Sequence, residues 1–363
     1  LYRYFRGRCK LKQTISFPRL GNYHIPISSF LEKTTKQNIL IPPSITNTTK
    51  ELGTKYSPDF VCAPFKYNLG NYIEALDNGA TILLQGGGGC RYGYYAELQE
   101  QILKDLGYKF KFKNFIKNNS ISPIKVYKFI KEVNPKVNII KCLYYGIILL
   151  IKIVYMDKIE NYIRKNKAII INKERLKIIE KKYYNNINTP KTIITTLLYN
   201  KKTYKKLKKE PIEKKAKPLK IALIGELYTL IESEASSNLE ELLIKQNISI
   251  FRNTNITYLM ITKKHYQKRL AKKGKEYVKY HLGADATENI ILTKLLAKKY
   301  DGIIHIKSFG CTPEINAMPI ISKVSKDYKI PVMFLTFDTS STDLGLETRI
   351  EAFCDMLKSH NRN

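Results

Sequence analysis

Tryptophan is absent from the sequence, and no two cysteines stand at the CxxC or CxxxC spacing. None of the five histidines lies at metal-ligand spacing from a pair of cysteines. These absences exclude zinc-ribbon, thioredoxin and compact ferredoxin motifs. The sequence also lacks GxGxxG, GKS or GKT, Ser-His-Asp and paired-carboxylate signatures. It therefore indicates no familiar nucleotide-binding or hydrolase site.

Long apolar runs are also scarce. The longest uncharged run near the middle of the chain, residues 142–151, has ten residues, whereas a helix that spans a bilayer needs roughly 20. The first twelve residues carry five basic side chains and no apolar segment typical of a signal peptide. We therefore expect a cytoplasmic protein that makes no membrane contact.

Basic residues outnumber acidic ones, since 63 Lys and Arg stand against 31 Asp and Glu for a formal net charge of +32. Residues 111–220 hold 29 of the basic and 7 of the acidic residues, which places +22 of this charge in one segment. Only 11 of the basic residues are arginine, the side chain suited to bidentate phosphate and guanine contacts. The distribution argues against dedicated nucleic-acid binding, although weak attraction to polyanions follows from the charge alone.

Short apolar runs alternate with helical patterns in the first and last thirds of the chain, which is typical of a mostly parallel sheet covered on both faces. Asn238 is expected to cap the helix that follows it. The predicted strands are Thr14–Phe17, Asn38–Ile41, Ala80–Gln85, Lys220–Gly225, Ile248–Phe251, Gly302–Ile306 and Pro331–Phe337.

The middle of the chain has a different pattern, with long Ile-, Tyr- and Lys-rich helical stretches at Val137–Lys165 and Ala168–Tyr184. Lys201–Lys217 has the charge and proline content of a linker. We predict an N-terminal α/β lobe at residues 1–112, a basic helical insertion with its linker at 113–217, and a C-terminal α/β lobe at 218–363.

Three of the six cysteines share one local context. Cys62, Cys90 and Cys311 each follow an apolar or strand-like run, lie in a Gly or Pro turn and precede a helix. The carboxyl ends of parallel strands are where open α/β sheets place their sites, and a helix N-terminus favours the thiolate. If the two lobes face each other, the three sulfurs can converge.

The residues alone leave several interpretations of these thiols open. They are inert core side chains, a nucleophile, or a metal site, which would be an iron–sulfur cluster with one open iron or a three-cysteine zinc site. Cys9, Cys142 and Cys354 lack the shared context and are interpreted as structural.

Other candidate residues carry weaker signals. The backbone of Gln85–Gly89 could cradle a phosphate or simply approach Cys90 closely. His281 and His305 are isolated histidines, which are more often satisfied by hydrogen bonds than bound to metal. Glu314 and Asp338 follow predicted strands, where a carboxylate serves proton transfer or a helix terminus equally well.

Several segments of the two predicted lobes carry specific motifs: residues 17–23 (FPRLGNY), 51–53 (ELG), 66–71 (KYNLGN), 85–95 (QGGGGCRYGYY), 301–314 (DGIIHIKSFGCTPE), 337–338 (FD) and 346–353 (LETRIEAF). Together they resemble the activase-related branch of the 2-hydroxyacyl-CoA dehydratase superfamily, which includes D-component-like and double-cubane iron–sulfur proteins. The resemblance covers both predicted lobes, while the helical middle contributes little to it.

The resemblance implies an α/β protein with two flavodoxin-like (Rossmann-like) parallel-sheet lobes and an inserted helical subdomain. It implies a 4Fe–4S cluster whose ligands, carried over to this chain, are Cys62, Cys90 and Cys311. It also implies ATP-driven, low-potential electron transfer for 2-hydroxyacyl-CoA dehydration or a related reduction. The implied partners are an ATP-dependent activator protein, a ferredoxin or flavodoxin donor, an acyl-CoA substrate and a second subunit in a homo- or heterodimer.

The chain departs from such relatives at His281–Thr287, where they tend to have a Gly- and His-rich segment. It carries no ATP-binding motif, so ATP hydrolysis by this chain is not expected. Two other functions stay open: a non-catalytic, cluster-carrying partner or scaffold of an activase, and a polyanion-binding protein with inert thiols.

Overall fold

The computed structural model describes residues 13–87, 90–117, 120–213, 216–263, 269–270, 272–339 and 345–360. Cys9 and two glycines of the Gln85–Gly89 loop, at positions 88 and 89, lie outside the described residues.

The apolar runs form short strands. The strands of the first third are β1 Thr14–Ser16, β2 Asn38–Ile39, β3 Ile82–Gln85 and β4 Lys111–Asn114, followed by a small hairpin of β5 Ile116–Lys117 and β6 Ser120–Ile121. Those of the last third are β7 Lys220–Gly225, β8 Ser249–Arg252, β9 Gly302–Ser308 and β10 Val332–Phe337.

The strands form two four-stranded parallel sheets with the same spatial order. The first sheet runs β2-β1-β3-β4, and the second runs β8-β7-β9-β10. Within each sheet the chain thus follows the order 2-1-3-4, which is the flavodoxin-like winding. The predicted α/β class with two parallel-sheet lobes is confirmed. In this winding, the switch points lie between β1 and β3 and between β7 and β9.

Helices cover the sheets and form the middle of the chain. They are α1 His24–Thr35, α2 Asn47–Tyr56, α3 Ala63–Asp77, α4 Tyr95–Asp105, α5 Pro123–Val133, α6 Ile139–Asn166, α7 Lys173–Asn186, α8 Ile193–Lys208, α9 Leu227–Ile231, α10 Leu239–Lys245, α11 Ala286–Leu296, α12 Thr312–Asp327 and α13 Leu346–His360.

Two local predictions were wrong. The stretch from Lys201 is not a linker, because α8 continues to Lys208, where buried Leu207 anchors its last turn and Thr192 caps its first. Asn238 does not cap α10 with its side chain, because its backbone adopts a left-handed conformation with φ of 53°. The predicted lobe boundary at residue 112 also falls inside β4, and the three-domain division otherwise stays a prediction.

Helix α6 has two halves in different surroundings. It is the one helix of the described residues that is long and apolar enough to cross a membrane, with mean hydropathy 1.9 over its most apolar window. The expectation from the sequence rested on the longest run without charged residues. It therefore missed this window, which is apolar although it contains lysines. The second half nevertheless packs inside the protein and buries Lys152, Asp157 and Arg164 in polar contacts.

Candidate functional site

The three cysteines predicted from the sequence stand at the starts of helical segments. Cys62 and Cys311 are the N-cap residues of α3 and α12, each with a proline in the first turn, and Cys90 precedes a short 3₁₀ turn at Arg91–Tyr94. A backbone N–H in the first helical turn has no acceptor within the helix, so proline, which lacks this group, loses no hydrogen bond there. Each thiol therefore lies directly before a helical segment.

Direct contacts tie the three cysteine segments together. The backbone N–H of Ala63 donates to the carbonyl of Phe309 at 3.2 Å. The guanidinium of Arg91 donates to the carbonyl of Gly310 at 3.0 Å and to Oγ1 of Thr312 at 3.2 Å. The segments of Cys62 and Cys90 therefore both contact the segment of Cys311 across the two lobes.

Gly310 makes this approach of the two lobes possible. Its φ is +78°, and a Cβ built on it would lie 3.2 Å from both the Cα of Cys62 and the carbonyl oxygen of Val61. Any other residue would be strained in that backbone conformation, and its Cβ would lie too close to the neighbouring backbone, so only glycine fits here. The glycine before Cys311 is thus required by the neighbouring lobe.

The thiols lie in a poorly solvated environment. Burial raises the pKa of Cys62 to about 12, against the effect of a hydrogen bond with the Tyr95 hydroxyl, whose oxygen lies 2.6 Å from Sγ. Burial also raises the pKa of Cys90, whose Sγ accepts from the backbone N–H of Tyr92 at 3.4 Å. Burial, then the nearby Glu226 and Glu314, raise the pKa of Cys311 well above its usual range. Without a bound cation the three thiols are therefore protonated at neutral pH.

Glu226 is a site residue that the sequence analysis missed. It follows β7 at the second switch point, and its charge raises the pKa of Cys62, Cys90 and Cys311 alike, which places it near all three thiols. Its carboxylate accepts from the backbone N–H of Tyr228 at 2.7 Å and from that of Thr229 at 3.0 Å. Burial raises the pKa of this carboxyl. Its place directly after a buried strand was the one signal that could have identified it.

A second buried polar group lies beneath Cys311. Glu314 Oε2 is 2.7 Å from Nε2 of His305, and its Oε1 accepts from the side-chain amide of Asn289 at 2.9 Å. The same amide donates to the carbonyl of Gly225 at 3.2 Å, which connects this group to the loop of Glu226. Nε2 of His305 thus has a partner in Glu314 inside the core, whereas the buried Nδ1 of His305 has no hydrogen-bond partner among the described residues.

The other predicted residues do not join this group. Asp338 forms an ion pair with Lys66, with Nζ and Oδ1 3.5 Å apart. His281 Nδ1 accepts from the backbone N–H of Gly283 at 3.0 Å. Cys354 packs in the core of the second sheet, and Cys142 packs at the edge of the first.

Three cysteines can hold either a single metal ion or an iron–sulfur cluster. Among the described residues, no group of three or more His, Cys, Asp or Glu side chains has the spacing that a single metal ion needs. That finding argues against the three-cysteine zinc site. A cubane cluster makes a different demand, because each cysteine binds a separate iron and the sulfurs stand apart. Three thiols on three connected segments, with no fourth thiol on those segments in the described part of the chain, fit a cluster with one open iron in donor type and number.

Comparison with protein families gives one match. The family model described as "2-hydroxyglutaryl-CoA dehydratase, D-component" matches residues 152–357, more than half of the chain. The matched region contains the second half of α6, helices α7 and α8 and the whole second sheet, with Glu226 and Cys311. The helical middle therefore contributes more to the likeness than expected, and Cys62 and Cys90 lie outside the match. Comparison with curated proteins gives no significant match.

Proposed function

Because the chain belongs to the 2-hydroxyglutaryl-CoA dehydratase D-component family, we propose that it is a cytoplasmic iron–sulfur component of an acyl-CoA dehydratase system. Cys62, Cys90 and Cys311 would hold a 4Fe–4S cluster in this proposal. The observation that supports it best is the meeting of three cysteine segments from two lobes, joined through Ala63, Arg91 and Gly310. When bound, such a cluster supplies one-electron transfer at low potential.

The chain's own residues would serve this cluster in three ways. The N-termini of α3 and α12 favour negative charge on Cys62 and Cys311. The Tyr95 hydroxyl and the Tyr92 backbone N–H supply hydrogen bonds to sulfur, and such bonds tune the potential of a cluster. Glu226, held by the N–H groups of Tyr228 and Thr229, provides a carboxyl that can hold a proton beside the thiols.

The partners follow from the proposed reaction class. Low-potential electron transfer needs a reductant, for which we propose a ferredoxin or flavodoxin acting through an ATP-dependent activator protein. The substrate would be a 2-hydroxyacyl-CoA or a related reducible compound, and a second subunit would complete a homo- or heterodimer.

The first test is metal analysis of protein purified and reconstituted without oxygen. We expect about four irons per chain, with matching sulfide and a broad absorption band near ~400 nm. Each of Cys62→Ala, Cys90→Ala and Cys311→Ala would lower the iron content and the band. Cys142→Ala and Cys354→Ala are matched controls that would keep both. Absence of iron in the unaltered protein, or equal loss in the controls, would overturn the proposal.

A second measurement separates the proposed catalytic component from a non-catalytic, cluster-carrying scaffold. Reconstituted protein is mixed with an activator, ATP, a reduced ferredoxin and a 2-hydroxyacyl-CoA, and the enoyl-CoA product is followed. Turnover that disappears in Cys311→Ala supports the catalytic component. A cluster that forms normally but never supports turnover with any activator favours the scaffold.

A further inference from the structure

The first half of α6 presents an apolar surface to solvent. Ile139, Ile140, Leu143, Ile147 and Leu150 are between 38% and 73% exposed, and we call these five residues the α6 stripe. Their spacing of three and four residues from Ile140 onward puts them on one side of the helix. Soluble proteins rarely leave so many large aliphatic side chains together in water. The stripe is therefore a candidate contact surface.

The part of the chain that carries the α6 stripe has only basic charges. The sequence has no Asp or Glu from position 133 to 156, whereas it has lysines at 136, 141 and 152. Lys136 and Lys141 are exposed, while Lys152 is buried. Tyr144 and Tyr145 follow Lys141 and pack edge to face at 5.4 Å. Apolar side chains flanked by lysine and tyrosine are characteristic of helices that lie in a membrane interface.

The start of α8 also combines exposed apolar side chains with nearby lysines. The first two turns of α8 expose Ile194, Leu197 and Leu198. Residues 181–209 contain nine lysines and no acidic residue.

The charges select among the occupants that could cover the α6 stripe. A second copy of the chain would bring two surfaces together that both lack acidic residues, within molecules of net charge +32, and like charges oppose that contact. Nucleic acid would satisfy the lysines but would leave the aliphatic side chains in water. An anionic bilayer satisfies both, since it attracts lysine and accepts apolar side chains.

The buried second half of α6 restricts how a bilayer could be engaged. Lys152 donates to Asn188 at 2.8 Å, and Asp157 accepts from the backbone N–H of Thr257 at 2.8 Å. These contacts hold the second half within the protein. The free part is about twelve residues, or roughly 18 Å of helix, which is too short to cross the hydrocarbon core. We propose that the α6 stripe docks this protein peripherally on the surface of an anionic phospholipid bilayer.

The test is co-sedimentation of the full chain with phospholipid vesicles. The protein should sediment with vesicles rich in phosphatidylglycerol and stay in solution with pure phosphatidylcholine. Leu143→Gln combined with Ile147→Gln should weaken binding at least about ten-fold, because two inserted aliphatic side chains are lost. Ile178→Gln is the matched control, since Ile178 is 66% exposed on α7 outside the stripe, and it should bind normally. Lys141→Glu should weaken binding more than Lys323→Glu, which changes the net charge equally on α12.

Several results would overturn this proposal. One is failure to bind anionic vesicles. Another is unchanged binding by the double variant, which would mean that charge alone attracts the protein. Sedimentation equilibrium provides the third: a dimer that the double variant abolishes would assign the stripe to a second copy. None of these readouts needs the iron–sulfur cluster, so the outcome is independent of the proposed function.

Discussion

At the scale of single residues, the candidate site depends on backbone positions as much as on thiols. Gly310 has φ of +78° and faces the Cα of Cys62, whereas Gly79 has φ of +84° and faces open space. The two glycines thus share a backbone conformation and differ in what a side chain would meet. This difference allows the contact between the lobes to be tested separately from backbone strain.

We predict that Gly310→Ala lowers the free energy of unfolding by about 2–3 kcal/mol, since it adds a steric conflict with Cys62 to the cost of a left-handed alanine. Gly79→Ala should lower the free energy of unfolding by about 1 kcal/mol, which is the cost of the left-handed backbone conformation alone. Urea titration measures both. Equal losses in the two variants would show that the close approach of Gly310 to Cys62 contributes nothing.

Lys152 illustrates the cost of a buried ammonium group. Burial, and then the neighbouring Lys33, lower the pKa of Lys152 from 10.5 to about 8. Between these values the folded protein binds fewer protons than the unfolded chain, so the stability of the protein rises with pH in this window.

We predict that Lys152→Met raises the free energy of unfolding by about 1 kcal/mol at neutral pH, because methionine fills similar space without a charge. The gain should shrink as pH rises from about 8 towards 10.5, where the folded lysine is already neutral. Lys158→Met, at an exposed position of the same helix, should give no such pH dependence. A gain that stays constant with pH would contradict this account.

At the scale of elements, a buried charge network fixes the second half of α6 to the second lobe. Nη2 of Arg252 on β8 lies 3.9 Å from Oε2 of Glu160 on α6, and Nη1 of Arg164 on α6 lies 3.6 Å from Oε2 of Glu240 on α10. Burial alone would raise the pKa of Glu160, but Arg164 and Arg252 lower it below its usual range. The network surrounds a polar cavity of about 200 Å³ that none of the three site cysteines lines.

We predict that Glu160→Gln lowers the free energy of unfolding by about 3 kcal/mol, because it leaves only Glu240 to balance the buried charges of Arg164 and Arg252. Chemical denaturation at neutral pH provides the measurement. Glu174→Gln removes an exposed pair with Lys177 and should change stability by less than about 0.5 kcal/mol. If both variants behave alike, the buried network is not what fixes α6.

At the scale of the whole molecule, two sheets of the same winding face each other through their cysteine-bearing loops. The uneven charge of the chain acts on the same scale, since +22 of the net +32 lies in residues 111–220. Repulsion among these lysines opposes the folded state, and salt screens it.

We predict that the free energy of unfolding rises as salt increases from about 0.02 M to about 0.2 M. Lys201→Gln combined with Lys205→Gln, at exposed positions of α8, should raise stability by a few tenths of a kcal/mol at low salt and by less at high salt. Glu51→Gln removes an exposed acidic residue and should therefore lower stability at low salt instead of raising it. Stability that falls with salt would show that attractive pairs outweigh the repulsion.

The local pattern of apolar and polar residues predicted much of the fold. The apolar runs of β3, β7 and β9 marked buried parallel strands, in which nearly every side chain is covered. The pattern failed at β4, whose Lys-rich sequence KFKN resembles a loop. It failed again at the end of α8, where lysines suggested a linker although the packing of Leu207 extends the helix.

The sequence by itself determined the α/β class and singled out Cys62, Cys90 and Cys311 through their shared turn-and-helix context. Only the tertiary structure decided that their segments meet, because the hydrogen bond from Ala63 to Phe309 joins residues far apart in the chain. It also decided that Tyr95 bonds Cys62 and that half of an apolar helix stays exposed. Periodicity describes which face of an element is apolar, whereas the neighbour that covers this face is set by how distant segments pack.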